Sequence, residues 1–324
     1  MKSFSELKIF FDEALRNGHF EGNPPELYEP VAYTMAMGGK RMRPLLLLMS
    51  CEMFDGNLNE AISPAIGIEI FHNFTLIHDD IMDQAPLRRG NKTVHEKWDR
   101  NVAILSGDTM FALAYKHMVS VPGIHLPEVL KTFTQTAIEV CEGQQYDMNF
   151  EKAPEVSIAD YLEMIRLKTA VLLGCAMKTG AIVAGASLPD QQRICDFASN
   201  LGIAFQLKDD LLDAFGDEQK FGKKTGGDIK ANKKTYLYLK SLELSDAETR
   251  KRLIHTFTHQ EKDAGKKVRQ VRQIFRELGI PEETEKLMRE YYQKARQSLD
   301  KVGVSGERKK TAEAFSELLM EREH

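Results

Sequence analysis

The sequence predicts an all-α molecule, and three observations carry that reading. Apolar residues recur at spacings of three and four through long stretches, as amphipathic helices require. Short alternating runs bounded by turn residues, the mark of strands, are scarce. Chain breakers fall between the periodic stretches: D-G-N from Asp55, V-P-G from Val121, K-A-P from Lys152 and S-L-P-D from Ser187. Ten or more helices joined by short connections make one large helical bundle.

The elements follow in order. Periodic segments at 61–82, 102–118, 127–147 and 190–215 each predict a long helix. Pro44, after G-G-K-R-M-R, suits the first residue of a helix running on through Leu45 to Met49. Ser157 and Asp160 form a capping box opening the helix that carries Lys168. The stretch 171–188 is the most apolar, but Lys178 interrupts it and Gly and Ala are frequent, so it reads as a buried helix with close helix contacts. Between Phe215 and Thr235 the pattern breaks into a segment with four Gly and six Lys, the composition of a functional loop. Beyond Ser241 the chain is helical and charged, and the basic stretch from Lys266 to Arg272 reads as a solvated face.

Composition removes several classes of function. The 324 residues are 42% hydrophobic, which suffices for a large core and excludes a disordered chain. The balance of 44 Lys and Arg against 48 Asp and Glu argues against a nucleic-acid binder. Cys51, Cys141, Cys175 and Cys195 are scattered without metal spacing, as expected of reduced thiols in the cytoplasm. The charged N-terminus lacks the apolar core of a signal peptide, so a soluble, cytoplasmic protein without stable membrane insertion is expected.

The sharpest chemical feature is D-D-I-M-D at Asp79, Asp80 and Asp83, which recurs as D-D-L-L-D at Asp209, Asp210 and Asp213. On a helix, positions i and i+4 share a face and i+1 lies close by, so each motif gathers three carboxylates. Negative charge at a helix C-terminus opposes the macrodipole, and like charges crowd unfavourably without cations. Hard oxygen donors select Mg²⁺. Cationic motifs answer them: Lys40, Arg41 and Arg43 before Pro44, Arg88 and Arg89 in a loop after the first motif, and Lys223 and Lys233 in the Gly/Lys-rich loop. Alternating Mg²⁺-type carboxylates and phosphate-type cations suggest a substrate bearing diphosphate. No P-loop, dinucleotide fingerprint or kinase signature is present. Gln206 shares a helical face with Asp209 and Asp210, and His72 lies two turns before Asp79.

Taken in order, G-G-K-R-M-R-P, D-D-I-M-D followed by L-R-R-G, G-Q-Q-Y-D, K-T, and F-Q-L-K-D-D-L-L-D followed by G-K and D-I-K-A-N-K-K-T make the sequence resemble the trans-isoprenyl diphosphate synthases. This polyprenyl synthetase family includes farnesyl and geranylgeranyl diphosphate synthases. The resemblance implies a single all-α prenyltransferase domain over 1–324 with a deep central cavity, and a homodimer serving isoprenoid biosynthesis. It implies head-to-tail coupling of isopentenyl diphosphate to an allylic diphosphate (dimethylallyl, geranyl or farnesyl). Three Mg²⁺ would be held between Asp79, Asp80, Asp83 and Asp209, Asp210, Asp213. By position, Lys40, Arg43, His72 and Arg89 resemble the isopentenyl diphosphate pocket, and Arg88, Lys168, Lys223 and Lys233 the allylic side. Thr169 and Gln206 match neutral dipoles near the developing cation. Gln144 and Asp147 match residues that order the basic ones, and Asp108 is expected to support structure.

Product length is expected to be set by Phe74, five residues before Asp79, with Phe71 almost a turn deeper. A lone aromatic at Phe74 beside the small Thr75 resembles archaeal-type geranylgeranyl synthases and predicts fifteen to twenty carbons, twenty favoured. Two other classes fit less well. A class I terpene cyclase would carry N-D-x-x-S-x-x-x-E as its second motif, and a non-catalytic subunit of a heteromeric synthase would tend to lose the Asp motifs. The C-terminal L-L-M-E-R-E-H lacks the basic tail of some farnesyl synthases.

Overall fold

In the computed structural model, residues 2–18, 20–216, 225–258 and 263–321 are described. They form sixteen α-helices: α1 Phe4–Asn17, α2 Pro25–Ala36, α3 Met42–Met53, α4 Leu58–Met82, α5 Val94–Lys97, α6 Arg100–Met118, α7 Leu126–Lys152, α8 Ile158–Ile165, α9 Val171–Val183, α10 Leu188–Phe215, α11 Gly227–Lys230, α12 Tyr236–Leu244, α13 Ala247–Thr258, α14 Ala264–Glu277, α15 Ile280–Asp300 and α16 Gly306–Glu321. The strands among the described residues are β1 Leu87–Arg88 and β2 Asn91–Lys92, paired antiparallel. The all-α prediction holds.

By internal contacts the chain divides into two compact units. The first comprises Met1–Thr134, Cys175–Ile194 and Gly303–Thr311; the second comprises Gln135–Gly174, Cys195–Val302 and Ala312–His324.

In the first unit α4 is the central element. Ala65 through Phe71 form an unbroken buried run, the pattern of a helix covered on all sides. It starts with Asn57 accepting a hydrogen bond from the Asn59 backbone N–H at 3.0 Å. α6 packs closely on α4, and its first turn is capped by Asp99 accepting from Val102 N–H at 2.9 Å. α3 is buried from Pro44 to Cys51. It begins at Met42, two residues earlier than expected, with Arg41 as its N-cap in the left-handed region (φ 50°). Pro44 thus occupies the third helical position, where its missing N–H still costs no intrahelical bond.

In the second unit the predicted capping box is present. Ser157 Oγ accepts from Asp160 N–H at 3.1 Å, and Asp160 Oδ2 accepts from Ser157 N–H at 3.0 Å. After Ile165 the helix widens into one π turn, Arg166–Ala170, before continuing as α9. The core of this unit joins Tyr161 and Ile165 to Leu207, Leu237, Phe257 and Phe275. Tyr238 and Phe257 stack at 4.0 Å. The segment read as a Gly/Lys-rich loop contains α11, with Gly226 before it at φ 80°.

Candidate active site

The first carboxylate cluster stands at the end of α4. Asp80 is buried, Asp79 half-buried, and Asp83 exposed at the C-cap, its N–H donating to Asp79 O at 2.8 Å. Arg88 reaches both acids: Nε donates to Asp80 Oδ1 at 2.9 Å, and Nη2 donates to Asp80 Oδ1 at 2.5 Å and Asp79 Oδ2 at 3.4 Å. The stretch expected to be a loop is a hairpin. Leu87 pairs with Lys92 and Arg88 with Asn91, leaving Arg89 and Gly90 as a two-residue turn with both φ positive (53° and 78°). That is the turn geometry whose twist matches paired strands, and a glycine meets its demand at Gly90 without strain. Burial pushes the Asp80 carboxyl above its ordinary value, and Arg88 only partly offsets this.

A cationic group lies in the same unit. Arg43 Nη1 is 3.2 Å from His72 Nε2. Burial, reinforced by Arg43, Arg89, Arg88 and Arg41, holds His72 well below the usual imidazole range. His72 is therefore neutral, with Nε2 accepting from the guanidinium and the proton on Nδ1. Burial also brings Arg43 down to about 10, which leaves it charged at neutral pH. The Arg89 guanidinium donates to the Gly38 carbonyl. Lys40 is exposed on the G-G-K stretch. Arg41 differs from its neighbours. It is buried, donating to Glu69 Oε1 and to Met35 O, each at 2.5 Å, while Asn73 Nδ2 also donates to Glu69 Oε1 at 3.0 Å. Its charge is committed to an internal pair, so its place in the basic motif serves packing.

Below the acids, Phe71 is fully buried and Phe74 nearly so. Their rings are 5.4 Å apart and belong to an aromatic cluster that the sequence reading did not assemble. Phe74 meets His78 at 4.8 Å and Phe111 at 5.3 Å, while Phe71 meets Phe133 at 5.2 Å. Tyr115 closes the cluster against Phe111 and Phe133. His78 Nε2 is 3.2 Å from the Ile104 carbonyl and 3.9 Å from Asp108, which is exposed.

The second cluster lies on α10. Asp210 is buried, accepting from Gln206 Nε2 at 3.1 Å and from the Tyr161 hydroxyl. Thr169 Oγ1 donates to Gln206 Oε1 at 3.2 Å, fixing the amide so that its NH₂ faces the carboxylate. Lys168 Nζ donates to Asp147 Oδ2 at 2.6 Å. Lys168 and Thr169 belong to the π turn, against which α7 packs through Gly143: a Cβ there would stand 2.3 Å from Lys168 N. Asp213 accepts from the backbone N–H of Gly227 (3.2 Å) and Asp228 (3.0 Å), anchoring α11. Asp209 stands half-buried beside Asp210, and Gln144 is likewise half-buried on α7.

Asp147, Tyr161, Lys168, Thr169, Gln206, Asp210, Asp228 and Lys233 line one cavity of about 110 Å³. The sequence gives no separate role to Tyr161, nor to Asp228 and Lys234 within D-I-K-A-N-K-K-T. Asp228 lay inside a segment read as basic, and nothing in the spacing of Tyr161 distinguishes it from a core residue. Burial raises Asp228 to about 6, with Asp213 adding to the shift and Lys233 opposing it. Burial, with Asp228 next, also pushes Asp210 well up against its hydrogen bonds. Lys234 Nζ donates to the carbonyls of Phe150 and Ala153, both at 2.6 Å, closing the C-terminal end of α7. Lys223 lies outside the described residues.

These donors are all oxygen on the acidic side and all nitrogen on the basic side. Among the described residues no three His, Cys, Asp or Glu side chains converge into a cage that would hold an ion by themselves. Mg²⁺ suits such a set, because it takes one or two carboxylates and completes its shell with water and phosphate oxygens. No helix among the described residues is long and apolar enough to cross a membrane.

The family profile for polyprenyl synthetase matches residues 24–276. The chain belongs to the polyprenyl synthetase family. The synthetase is 34% identical over 325 residues to the short chain isoprenyl diphosphate synthase of Methanothermobacter thermautotrophicus, covering 100% of this chain and 98% of that one. It is 39% identical over 252 residues to the geranylgeranyl diphosphate synthase of Sulfolobus acidocaldarius, covering 76% of each. A solved geranylgeranyl pyrophosphate synthase superposes with a TM-score of 0.95 at 45% identity, over 99% of each chain. The synthetase is thus a prenyltransferase with the all-α fold of that family.

Proposed function

We propose that this synthetase condenses isopentenyl diphosphate with an allylic diphosphate to give a short trans-prenyl diphosphate, farnesyl or geranylgeranyl, with the twenty-carbon product favoured. The observation that carries the reading is the pairing of each Asp motif with its own partners. Arg88 forks onto Asp79 and Asp80, and the neutral chain Thr169–Gln206 leads to Asp210.

In this reading the allylic carbon–oxygen bond breaks and diphosphate leaves with the electron pair. The isopentenyl double bond then attacks the allylic cation, and a proton is lost to the released diphosphate. Asp79, Asp80, Asp83, Asp209, Asp210 and Asp213 would hold Mg²⁺, taken as three ions, which would supply positive charge to the diphosphate leaving group. Arg88, Lys168, Lys223 and Lys233 bind its oxygens. Thr169 and Gln206 offer the cation neutral dipoles; an ionised carboxylate in their place would risk capturing it. Asp147 holds the Lys168 ammonium at 2.6 Å, the ordering role expected of it with Gln144. Lys40, Arg43 and Arg89 hold isopentenyl diphosphate, with neutral His72 orienting the Arg43 fork. Phe74, with Phe71 beneath it, ends the channel for the growing chain. One catalytic domain over 1–324, acting as a homodimer in the cytoplasm, completes the proposal. The names of the relatives above support the twenty-carbon product.

Purified protein incubated with isopentenyl diphosphate, each allylic diphosphate in turn and Mg²⁺ tests this directly. Mass analysis of the dephosphorylated products should show elongation to fifteen or twenty carbons. No elongation from any primer sinks the proposal.

A further inference from the structure

The first unit contains a second cavity, of about 560 Å³, which the proposed chemistry does not use. Its walls are aromatic: Phe20, Tyr28, Tyr33 and Trp98 line it, and the exposed carboxylates Glu21 and Glu29 stand among them. Tyr33 and Trp98 meet edge to face, with ring centroids 5.2 Å apart and planes at 72°. Into this corner points an ammonium. Lys97 Nζ lies 3.6 Å from the Tyr33 centroid and 4.6 Å from the Trp98 centroid. Among the described residues Lys97 has no carboxylate partner. What positions its charge is the pair of π faces, each of which attracts a cation within about 6 Å of its centre.

We propose that this aromatic corner is a binding site for an organic ammonium ion, and that Lys97 is its built-in occupant. Electron-rich rings inclined at 72°, with carboxylates among the lining residues, are complementary to a diffuse positive charge carrying apolar substituents. An anionic or neutral apolar ligand would meet Glu21 and Glu29 unfavourably. The volume exceeds what one lysine head needs, so an external cation can share or take the corner as Lys97 swings into solvent. The site also touches the catalytic region through one bond. The Tyr33 hydroxyl donates to Lys92 O at 2.9 Å, and Lys92 belongs to the hairpin that carries Arg88.

The chain contains a single tryptophan, Trp98, so its fluorescence reports this corner alone. Full-length protein is titrated with tetramethylammonium chloride and, in parallel, with sodium chloride at matched ionic strength. A saturable change is expected with tetramethylammonium only. Lys97→Gln, an exposed substitution that frees the corner, should bind the probe about three- to ten-fold tighter, the range for losing a competing contact with one or two ring faces. Tyr33→Leu should abolish saturation. Because it also removes the bond to Lys92, Glu29→Gln is measured beside it and should weaken binding two-fold or more. A response that matches sodium chloride, or a Lys97→Gln variant that binds no tighter than the parent, overturns the proposal.

Discussion

His72 shows how a single side chain can be set by its surroundings. Burial, with four arginines adding to it, keeps it neutral in the folded state, whereas in the unfolded chain it titrates near its ordinary value of 6.5. The folded state therefore binds fewer protons below that value. Its stability is unaffected by His72 above about pH 6.5 and falls as pH drops below it, by at most about 1.4 kcal/mol per pH unit until the folded-state pKa is reached. Melting temperatures measured at pH 7 and pH 5.5 should fall further in the parent than in His72→Gln, and equal falls would remove His72 from the account. Phe74 is nearly buried among aromatic neighbours. Replacing it by Ala removes a ring from a cluster that includes Phe71, Phe111 and His78. The loss should cost about 3–5 kcal/mol in stability. If Phe74 ends the channel, the product should also lengthen, and an unchanged product by mass analysis would move the stop elsewhere in the aromatic cluster.

Among the elements, the π turn and α7 make the tightest junction near the chemistry. A methyl on Gly143 would stand 2.3 Å from Lys168 N and 2.7 Å from Leu167 C, both backbone atoms that cannot rotate away. Gly143→Ala should therefore force the helices apart at a cost of about 1–3 kcal/mol and loosen the Lys168–Asp147 pair. Calorimetry and the kcat of elongation should fall together; a stable but slow variant would mean that only the pair was disturbed. The same junction shows what a sequence can and cannot disclose. The long helices were legible because burial imposes a period over many turns, and the Ser157 capping box was legible because its chemistry is local. The π turn inserts one residue into a helix, a change too small to disturb a periodicity. The hairpin escaped notice because strands of two residues carry no alternation; only the R-G turn pair could have announced it. Both Asp motifs were legible by composition, yet Asp228, half-buried beside the second of them, hid among lysines. Adjacency alone groups Arg41 with the phosphate-type cations, and only the contact with Glu69, 28 residues away, separates it from them.

For the molecule as a whole, the proposal makes the two Asp motifs serve one ligand. Mg²⁺ with inorganic diphosphate should then raise the melting temperature, with a gain of about 2.7 kcal/mol at a hundred-fold excess over the dissociation constant. Asp80→Asn and Asp210→Asn, measured singly by calorimetry, should each remove most of that gain. If each removed only half, the motifs would be binding separately and the shared-metal reading would fail. The division of the chain carries its own consequence. Each unit is assembled from three separate stretches, so the backbone changes unit five times, the last near Thr311. Neither unit corresponds to a continuous piece of coding sequence. No single protease nick can release one, and neither can be exchanged with a relative as a cassette. A chimaera that respects the units must be spliced at five junctions, four of them inside α7, α9, α10 and α16. For a protein built this way, the smallest inheritable part is nearly the whole chain.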